Sequence, residues 1–264
     1  MTTMPHDYYL KFTDSEVLSD IQAFHNKGNY TLHSAFKHMS YLHSLTPFDL
    51  DSLTGKELHL YPDMNLSTPL HRASITHHAL MRNESCVTFK KSNIAFSTIE
   101  QLISPLLNTH PTSHKRGYPS GGALYPVEVF ICSLNESPEH WPFVEKVLHL
   151  LPYSRALETV QNTLSSKHLK DSILCPPSTL GTPALALVYV AYWPKTLFKY
   201  RYRGYRLALM EAGSMYMLIE LQAKALDLRC RLWSGFTDSM LCKSLGLNPA
   251  LFSPLCVHFI GQGK

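Results

Sequence analysis

The segment FKYRYRGYR, from Phe198 to Arg206, concentrates four cationic and three phenolic side chains without one acidic residue. Lysine and tyrosine side chains titrate above neutrality and respond to burial, so Lys199 and Tyr200 could carry proton transfers. Guanidinium groups pair strongly with phosphate oxygens. The arginines of this segment could therefore hold a phosphate or form a solvated helix face: they are Arg201, Arg203 and Arg206.

A second segment, KRGYPSGGALYPVEVFI from Lys115, combines a basic pair, a Pro-Ser-Gly-Gly turn and a following strand. Gly121 and Gly122 have no side chains, so a flat ligand can approach the backbone and its N–H groups closely. Pro119 and Pro126 restrict the backbone on both flanks. These features fit a ligand-binding turn, and they also fit an ordinary loop between a helix and a strand.

The composition predicts a globular protein with one main domain and an extension. The chain has 264 residues, of which 45% are hydrophobic and 17% are charged, and this balance suits a sizeable core. A formal net charge of +4 does not by itself indicate a nucleic-acid partner. The sequence has neither a long apolar run nor a signal-peptide pattern, so we expect a cytoplasmic protein without a membrane partner.

The spacing of histidines and cysteines argues against a metal site. The densest histidines, His71, His77 and His78, have no accompanying ligand motif such as H-E-x-x-H. The six cysteines form no C-x-x-C pair, and several lie in apolar runs. We therefore predict that the protein binds no metal and that its cysteines are buried free thiols.

The first part of the chain is interpreted as an extension that ends near residue 80. Apolar residues at helical spacing predict a helix that begins after Asp14 and ends near Gly28. A second helix is predicted over 31–45 and a short strand over 54–64. This part of the chain carries no chemistry that its residues identify.

Helices and strands alternate in the remainder of the chain. Strands are predicted from Val127 and over 146–151, 183–193, 229–236 and 255–261. Helices are predicted after a Ser97 cap and over 154–160, 206–228 and 237–247. This alternation favours a layered α+β or α/β fold around a mixed sheet.

The segment YPSGGALYPVEVF resembles the PSGG-type signature of flavin-dependent azoline dehydrogenases in the nitroreductase superfamily. Three further segments resemble the same family in the same order: EVLSDIQAFHNKGN, LFKYRYRGYRLALMEAGSMY and SGFTDSMLCKSLGL. The resemblance spans nearly the whole chain, and four ordered motifs are more specific than any one of them. These enzymes oxidise azoline rings during the biosynthesis of thiazole/oxazole-modified microcins.

The resemblance implies a nitroreductase-like α+β fold, with a mixed central sheet surrounded by helices and an N-terminal extension. Residues 81–264 would form the FMN-binding domain, and residues 1–80 would dock a partner or the precursor. The substrate would be a heterocyclised precursor peptide supplied by cyclodehydratase subunits of a synthetase complex. The protein would be a homodimer in that complex and would convert thiazolines or oxazolines to thiazoles or oxazoles.

The resemblance also implies roles for individual residues. Lys199 and Tyr200 match the catalytic pair, in which one residue takes the carbon-bound proton of the ring while FMN accepts the hydride. A lysine desolvated among other cations is suited to this role, although the sequence does not decide which of the two is the base. The matching cofactor-binding positions are Arg82, Ser85, Arg116, Pro119, Ser120, Gly121, Gly122, Arg201, Arg203, Ser234 and Gly235.

One departure from the family pattern leaves other functions open. Met217 and Leu218 stand where the family commonly has Gln-Asn. A non-catalytic scaffold subunit with a degenerate flavin site would explain the two apolar residues. A general NAD(P)H-dependent nitro or quinone reductase would share the fold, but it would need neither the Lys-Tyr pair nor the extension. Nucleic-acid binding is disfavoured, because a single basic run lies in a nearly neutral chain.

Overall fold

The computed structural model describes residues 5, 7–29, 46–49, 80–110, 112–135, 141–160, 166–173 and 180–264. The helix predicted over 31–45, the strand predicted over 54–64 and the three clustered histidines lie outside these residues. The described helices are α1 Ser15–Asn26, α2 Phe96–Ile103, α3 Ser166–Ile173, α4 Pro194–Tyr200, α5 Arg203–Ala225 and α6 Asp238–Ser244. The described strands are β1 Phe89–Lys90, β2 Val127–Ser133, β3 Val147–Leu151, β4 Ala156–Thr159, β5 Leu185–Tyr192, β6 Arg229–Trp233 and β7 Phe252–Gly263.

The strands form one sheet in the order β1-β7-β5-β2-β3-β4, and β6 also pairs with β7. The pairs among these described strands are all antiparallel, and the parallel contact is an isolated bridge between Phe89 and Gly181. The expected mixed sheet is therefore antiparallel in the described part of the chain. A buried apolar run identifies a central strand, but it does not encode the direction of its neighbours.

The sheet separates two apolar layers because successive side chains of a strand point to opposite faces. In β5, Leu187 and Tyr189 pack in the layer that contains α5, whereas Val188 and Val190 pack in the layer that contains α3 and α6. All eight residues of β5 are buried, which explains its unbroken apolar sequence. Helix α5 has no proline or interior break over 23 residues and covers the first face.

Helix α1 is part of the core of the domain. Its N-cap is Asp14, as predicted, and the Asp14 carboxylate accepts hydrogen bonds from the backbone N–H groups of Glu16 and Val17. Val17 and Ile21 are buried and belong to the same apolar layer as α5. The predicted start and end of this helix are confirmed to within about two residues.

Two local predictions are wrong. Residues 154–160 do not form a helix, because Ala156–Thr159 is strand β4, which pairs with β3 across a tight turn. Arg155 takes a φ of 54° in that turn, and the short segment gains backbone hydrogen bonds from β3 that a helix of one turn would lack. Ser97 is not a cap either, since it lies inside α2, which begins one residue earlier.

The described cysteines are free and buried: Cys86, Cys132, Cys230, Cys242 and Cys256. Burial raises the pKa of the Cys242 and Cys256 thiols to about 12, so both remain protonated near neutral pH. Among the described residues, the helices are too short or too polar to reach across a bilayer.

Candidate functional site

The Lys-Tyr pair lies at the break between two helices. Helix α4 starts at Pro194, whose missing N–H suits the first turn of a helix, and ends at Tyr200. Arg201 then adopts φ 48° and ψ −134°, a conformation that costs a non-glycine residue about 1 kcal/mol or more. Helix α5 begins at Arg203. This break directs the chain away from α4 immediately after the pair.

The PSGG loop is a second unusual piece of backbone. Positive φ values occur at Gly122, Ala123 and Tyr125, at 61°, 54° and 51°. Side-chain contacts support this shape, since the Ser120 hydroxyl accepts a hydrogen bond from the Tyr125 N–H at 2.8 Å. The Tyr125 hydroxyl in turn accepts one from the Arg116 N–H at 2.9 Å. The loop is therefore held in a conformation that its backbone would not otherwise favour.

The structure brings the two segments together at Gly122. A Cβ atom on Gly122 would lie 2.5 Å from Tyr200 Oη and 2.8 Å from Lys199 Nζ. Lys199 Nζ also lies 5.2 Å from the centroid of the Tyr200 ring. Lys199 is exposed and Tyr200 is half-buried. The described chain does not supply the desolvation expected at the lysine, so a bound ligand or partner would have to supply it.

The PSGG loop and one face of α5 line a cleft of about 710 Å³. Leu207, Glu211 and Ser214 recur at helical spacing on this face. Ten of the described residues line the cleft: Pro119, Ser120, Gly121, Leu207, Met210, Glu211, Gly213, Ser214, Tyr216 and Met217. Its volume is in the range of small-molecule and cofactor sites.

Glu211 lies in a segment that resembles the family, but it was not among the predicted site residues. It is 1% exposed, and its Oε1 accepts a hydrogen bond from the Val127 N–H at 3.2 Å. The rest of the carboxyl is also buried, and the Ser120 side chain lies close enough to hydrogen-bond to it. Burial raises the pKa of this carboxyl to about 7, against the opposing influence of Ser120, the Val127 N–H and the positive charge of Arg116.

Arg116 is a predicted flavin contact, but its side chain contacts two tyrosines that flank the PSGG turn. Its guanidinium lies 4.3 Å from the centroid of the Tyr125 ring and donates a hydrogen bond to the Tyr118 hydroxyl at 2.7 Å. Its buried Nε has no partner among the described residues. In this arrangement Arg116 supports the two tyrosines that flank the PSGG turn.

The residues that follow the Lys-Tyr pair contact α1. Arg201 forms an ion pair with Asp14 at 2.9 Å, and the Tyr202 hydroxyl donates to Asp20 at 2.6 Å. Arg203 is exposed at the start of α5. Arg201 is thus directed towards the N-terminal helix, and the sequence showed no pattern that linked Asp14 or Asp20 to this turn.

Arg82 and Ser85, the predicted phosphate site, lie close together near the second half of α5. Arg82 Nη1 is 3.4 Å from Ser85 Oγ and 3.6 Å from the Glu220 carboxylate. Glu220 follows Glu211 by nine residues, which corresponds to about 14 Å along a helix. The predicted phosphate-binding pair and the PSGG loop therefore lie along the same helix.

Ser234 and Gly235 do not line the cleft. They lie between β6 and α6, where a Cβ on Gly235 would be 2.8 Å from Trp233 Cζ2. Trp233 itself donates a hydrogen bond to the carbonyl of Ile173 in α3. This loop is associated with the opposite layer of the sheet from the PSGG loop.

Glu220, Cys230 and His258 form a buried group whose ligand atoms lie within 4.8 Å of one another. His258 Nε2 and Glu220 Oε1 are already 3.2 Å apart, and Tyr189 Oη approaches His258 Nδ1 at 3.5 Å. The same Glu220 oxygen is the one that faces Arg82. We interpret the group as a buried polar network, because its carboxylate is already paired with two nitrogen donors.

A model of the nitroreductase family matches residues 80–262. The chain belongs to the nitroreductase family. The match covers the sheet, the PSGG loop and α5, whereas α1 lies before it.

Comparisons with individual proteins give more detail than the family model. The chain is 39% identical over 254 residues to the microcin B17-processing protein McbC of Escherichia coli, covering 95% of this chain and 92% of McbC. It resembles a chain of the E. coli microcin synthetase McbBCD complex with truncated pro-MccB17 bound, with a TM-score of 0.88 and 37% identity over 100% and 99% of the two chains. A Ralstonia eutropha protein assigned to the nitroreductases shares the fold, with a TM-score of 0.60, 16% identity and coverage of 75% and 88%.

Proposed function

We propose that this protein is an FMN-dependent azoline dehydrogenase that acts on a heterocyclised precursor peptide. The observation that carries the proposal is the meeting of Lys199 and Tyr200 with Gly122 of the PSGG loop at a cofactor-sized cleft. The similarity to McbC, which covers almost the whole of both chains, supports a role in microcin-type processing. The product would be a thiazole or an oxazole.

The residues around the cleft are compatible with a flavin. A Cβ on Gly121 would lie 2.8 Å from Leu207 Cδ1, so glycine keeps the loop close to α5 and leaves its backbone open to a planar group. Pro119 and Ser120 line the same side of the cleft. We propose that this loop holds the ring system and that Arg82 and Ser85 hold the phosphate.

Bound FMN would supply the two-electron acceptor that the aromatisation of the ring requires. The role of the residues of this chain would be to remove the proton from the ring carbon. Lys199 is exposed and Tyr200 is half-buried, and both meet Gly122, which follows the cleft residue Gly121. Both can therefore reach a substrate that enters from outside. A peptide seated over Lys199 would exclude water from its amine and make it a better base.

We propose that the protein works inside a synthetase complex with cyclodehydratase subunits, as a homodimer. The likeness to a chain of the McbBCD complex with truncated pro-MccB17 bound supports the synthetase complex and the peptide substrate, and the homodimer is a further part of the proposal. The extension over residues 1–80 would dock a partner or the precursor peptide. Within it, α1 uses Val17 and Ile21 to pack on the domain, which leaves exposed residues such as Phe12 and Phe24 for contacts with other chains.

The first experiment is to purify the protein, record its visible absorbance, denature it and identify the released flavin. About one FMN per chain would support the cofactor assignment. The loaded protein is then incubated with an azoline-containing peptide, and mass spectrometry should detect the loss of two hydrogens per ring. A colourless protein that takes up neither FMN nor riboflavin would overturn the proposal and favour a scaffold subunit, for which Met217 in the cleft is the supporting observation.

The same purified protein can be used to distinguish an azoline dehydrogenase from a general nitro or quinone reductase. Rapid consumption of NAD(P)H with a quinone, together with intact azoline rings after incubation, would support that reductase and contradict a dehydrogenase. Oxidation of the peptide without added NAD(P)H would support the dehydrogenase.

A further inference from the structure

The break between α4 and α5 has an unusual backbone and contacts α1. Arg201 lies in this break with φ 48° and ψ −134°, a conformation that residues with a side chain seldom adopt. Such a conformation persists where the surrounding structure fixes it. Two consecutive residues of the break, Arg201 and Tyr202, are bound to aspartates at the start and in the middle of α1.

The Asp14 carboxylate has two separate partners. Its Oδ1 accepts from backbone N–H groups in the first turn of α1, and its Oδ2 pairs with the Arg201 guanidinium at 2.9 Å. Asp20 Oδ2 accepts a hydrogen bond from the Tyr202 hydroxyl at 2.6 Å. A single exposed ion pair contributes little to stability. Two such contacts from one helix to consecutive residues nevertheless restrict where the backbone of the break can lie.

Helix α1 can hold the break because it is itself fixed to the domain. Val17 and Ile21 are buried in the apolar layer that contains α5. The Phe24 ring lies 5.6 Å from the ring of Tyr205, which belongs to the first turn of α5. The aspartates of α1 are therefore carried by an element that packs on the core and on the start of α5.

The backbone of Arg201 also determines where the Lys-Tyr pair lies. The Arg201 N–H donates to the Leu197 carbonyl at 2.8 Å and closes the last turn of α4. Lys199 and Tyr200 lie in this turn and meet Gly122 of the PSGG loop. A change in the Arg201 conformation would therefore move both side chains relative to Gly122.

We propose that Asp14 and Asp20 are positioning residues that hold the break between α4 and α5, so that Lys199 and Tyr200 stay against Gly122. The inference rests on the proposed function, because it takes this pair as the groups that remove the ring proton. Proton transfer depends steeply on the placement of the base. The N-terminal helix would thus contribute to catalysis in addition to any role in docking.

The first measurement is steady-state oxidation of an azoline peptide by the FMN-loaded protein. Asp14→Asn can keep the capping oxygen but places an N–H donor opposite the Arg201 guanidinium, and Asp20→Ala removes the acceptor of Tyr202. Each should lower kcat about fivefold, with peptide KM and FMN content unchanged, because a displaced base slows proton removal without altering binding. Glu16→Gln removes the same charge from an exposed position of the first turn and should leave kcat unchanged.

Two further variants test the second contact directly. Tyr202→Phe deletes only the hydroxyl and should lower kcat as much as Asp20→Ala does. The combined variant should lose no more than either single variant, because both changes remove the same contact. Asp20→Glu keeps a carboxylate acceptor and should retain most of the wild-type kcat.

The second measurement is hydrogen exchange by mass spectrometry, which does not depend on turnover. The peptide over residues 198–206 should exchange at least about threefold faster in Asp14→Asn and in Tyr202→Phe than in the wild type. Residues 211–223, further along α5, should exchange as in the wild type. Glu16→Gln should leave the exchange of both segments unchanged.

The outcomes separate this proposal from the proposed function. Wild-type kcat in Asp14→Asn and Asp20→Ala would overturn the positioning role, and so would unchanged exchange over residues 198–206. Additive losses in the combined Asp20→Ala and Tyr202→Phe variant would also overturn it. If Asp20→Ala does not fold, as judged by circular dichroism, Tyr202→Phe decides alone. If the wild type itself does not oxidise azolines, the proposed function fails, and the exchange measurement still decides whether α1 holds the break.

Discussion

Lys199 and Gly122 approach so closely that no Cβ fits between them. A Cβ on Gly122 would lie 2.8 Å from Lys199 Nζ, and the φ of 61° at Gly122 is strained for a residue with a side chain. The contact joins the end of α4 to the PSGG loop, which are far apart in the sequence. It is the geometric basis of the proposed active site.

Gly122→Ala should therefore disable the site. We expect at least a tenfold loss of ring oxidation, because the methyl group must displace the Lys199 amine or the Tyr200 hydroxyl, and destabilisation of about 1 kcal/mol from the positive φ. Gly28→Ala is the control, since its Cβ would meet its nearest neighbour at 3.5 Å. A Gly122→Ala protein with wild-type turnover would contradict the assignment of this contact.

Lys199→Ala and Tyr200→Phe should abolish or strongly reduce azoline oxidation while FMN remains bound. Each removes a group suited to accept or relay the ring proton, a role worth roughly 10²–10⁴ in rate. The measurement pairs peptide mass spectrometry with flavin content per chain. Wild-type oxidation by either variant would show that the altered residue is not the proton acceptor.

Arg82→Ala should weaken FMN binding but leave riboflavin binding unchanged. Arg82 lies beside Ser85, where the phosphate is proposed to bind, and riboflavin has no phosphate to lose. The expected change is about tenfold in the FMN dissociation constant, by fluorescence titration. Arg155→Ala, in the β3–β4 turn, is the charge-matched control. Equal weakening for both flavins would point to a structural effect through Glu220.

Ile21→Ala should destabilise the whole domain by about 2–4 kcal/mol. Ile21 belongs to α1 but is buried in the same layer as α5, so its loss leaves a cavity in the main core. Denaturant unfolding should report one shifted transition. Glu16→Ala, on the exposed face of the same helix, controls for helix propensity. A separate early transition for α1 with an unshifted domain would show that the extension folds independently.

Glu128→Gln should cost about 3 kcal/mol of stability, because it leaves Lys195 without its charge partner in a largely buried setting. Glu128 accepts from Lys195 at 3.0 Å and lies 3.2 Å from His149, and Lys195 is in the helix that carries Lys199. Chemical denaturation is the measurement. Glu158→Gln should cost less than about 1 kcal/mol, because the Glu158 side chain is 55% exposed. Equal costs for the two variants would contradict the importance of burial here.

Many helices and strands could be predicted, because local sequence patterns indicate them. The Asp14 cap, the unbroken apolar run of β5 and the proline-free stretch of α5 each identify their element from neighbouring residues alone. Residues 154–160 were assigned wrongly because their strand exists only through pairing with β3. Local propensity does not report a hydrogen-bonding partner that lies elsewhere in the chain.

The candidate site was likewise predicted in part from the sequence and determined in part by the tertiary structure. The types and order of the residues were sufficient to identify the PSGG turn, the Lys-Tyr pair and the family to which they belong. Only the tertiary structure decided that Gly122 meets Lys199, that Arg201 pairs with Asp14, and that Glu211 lies buried beside the cleft. The sequence determines which side chains are present. The distances between them, their burial and their pKa values depend on which elements pack together.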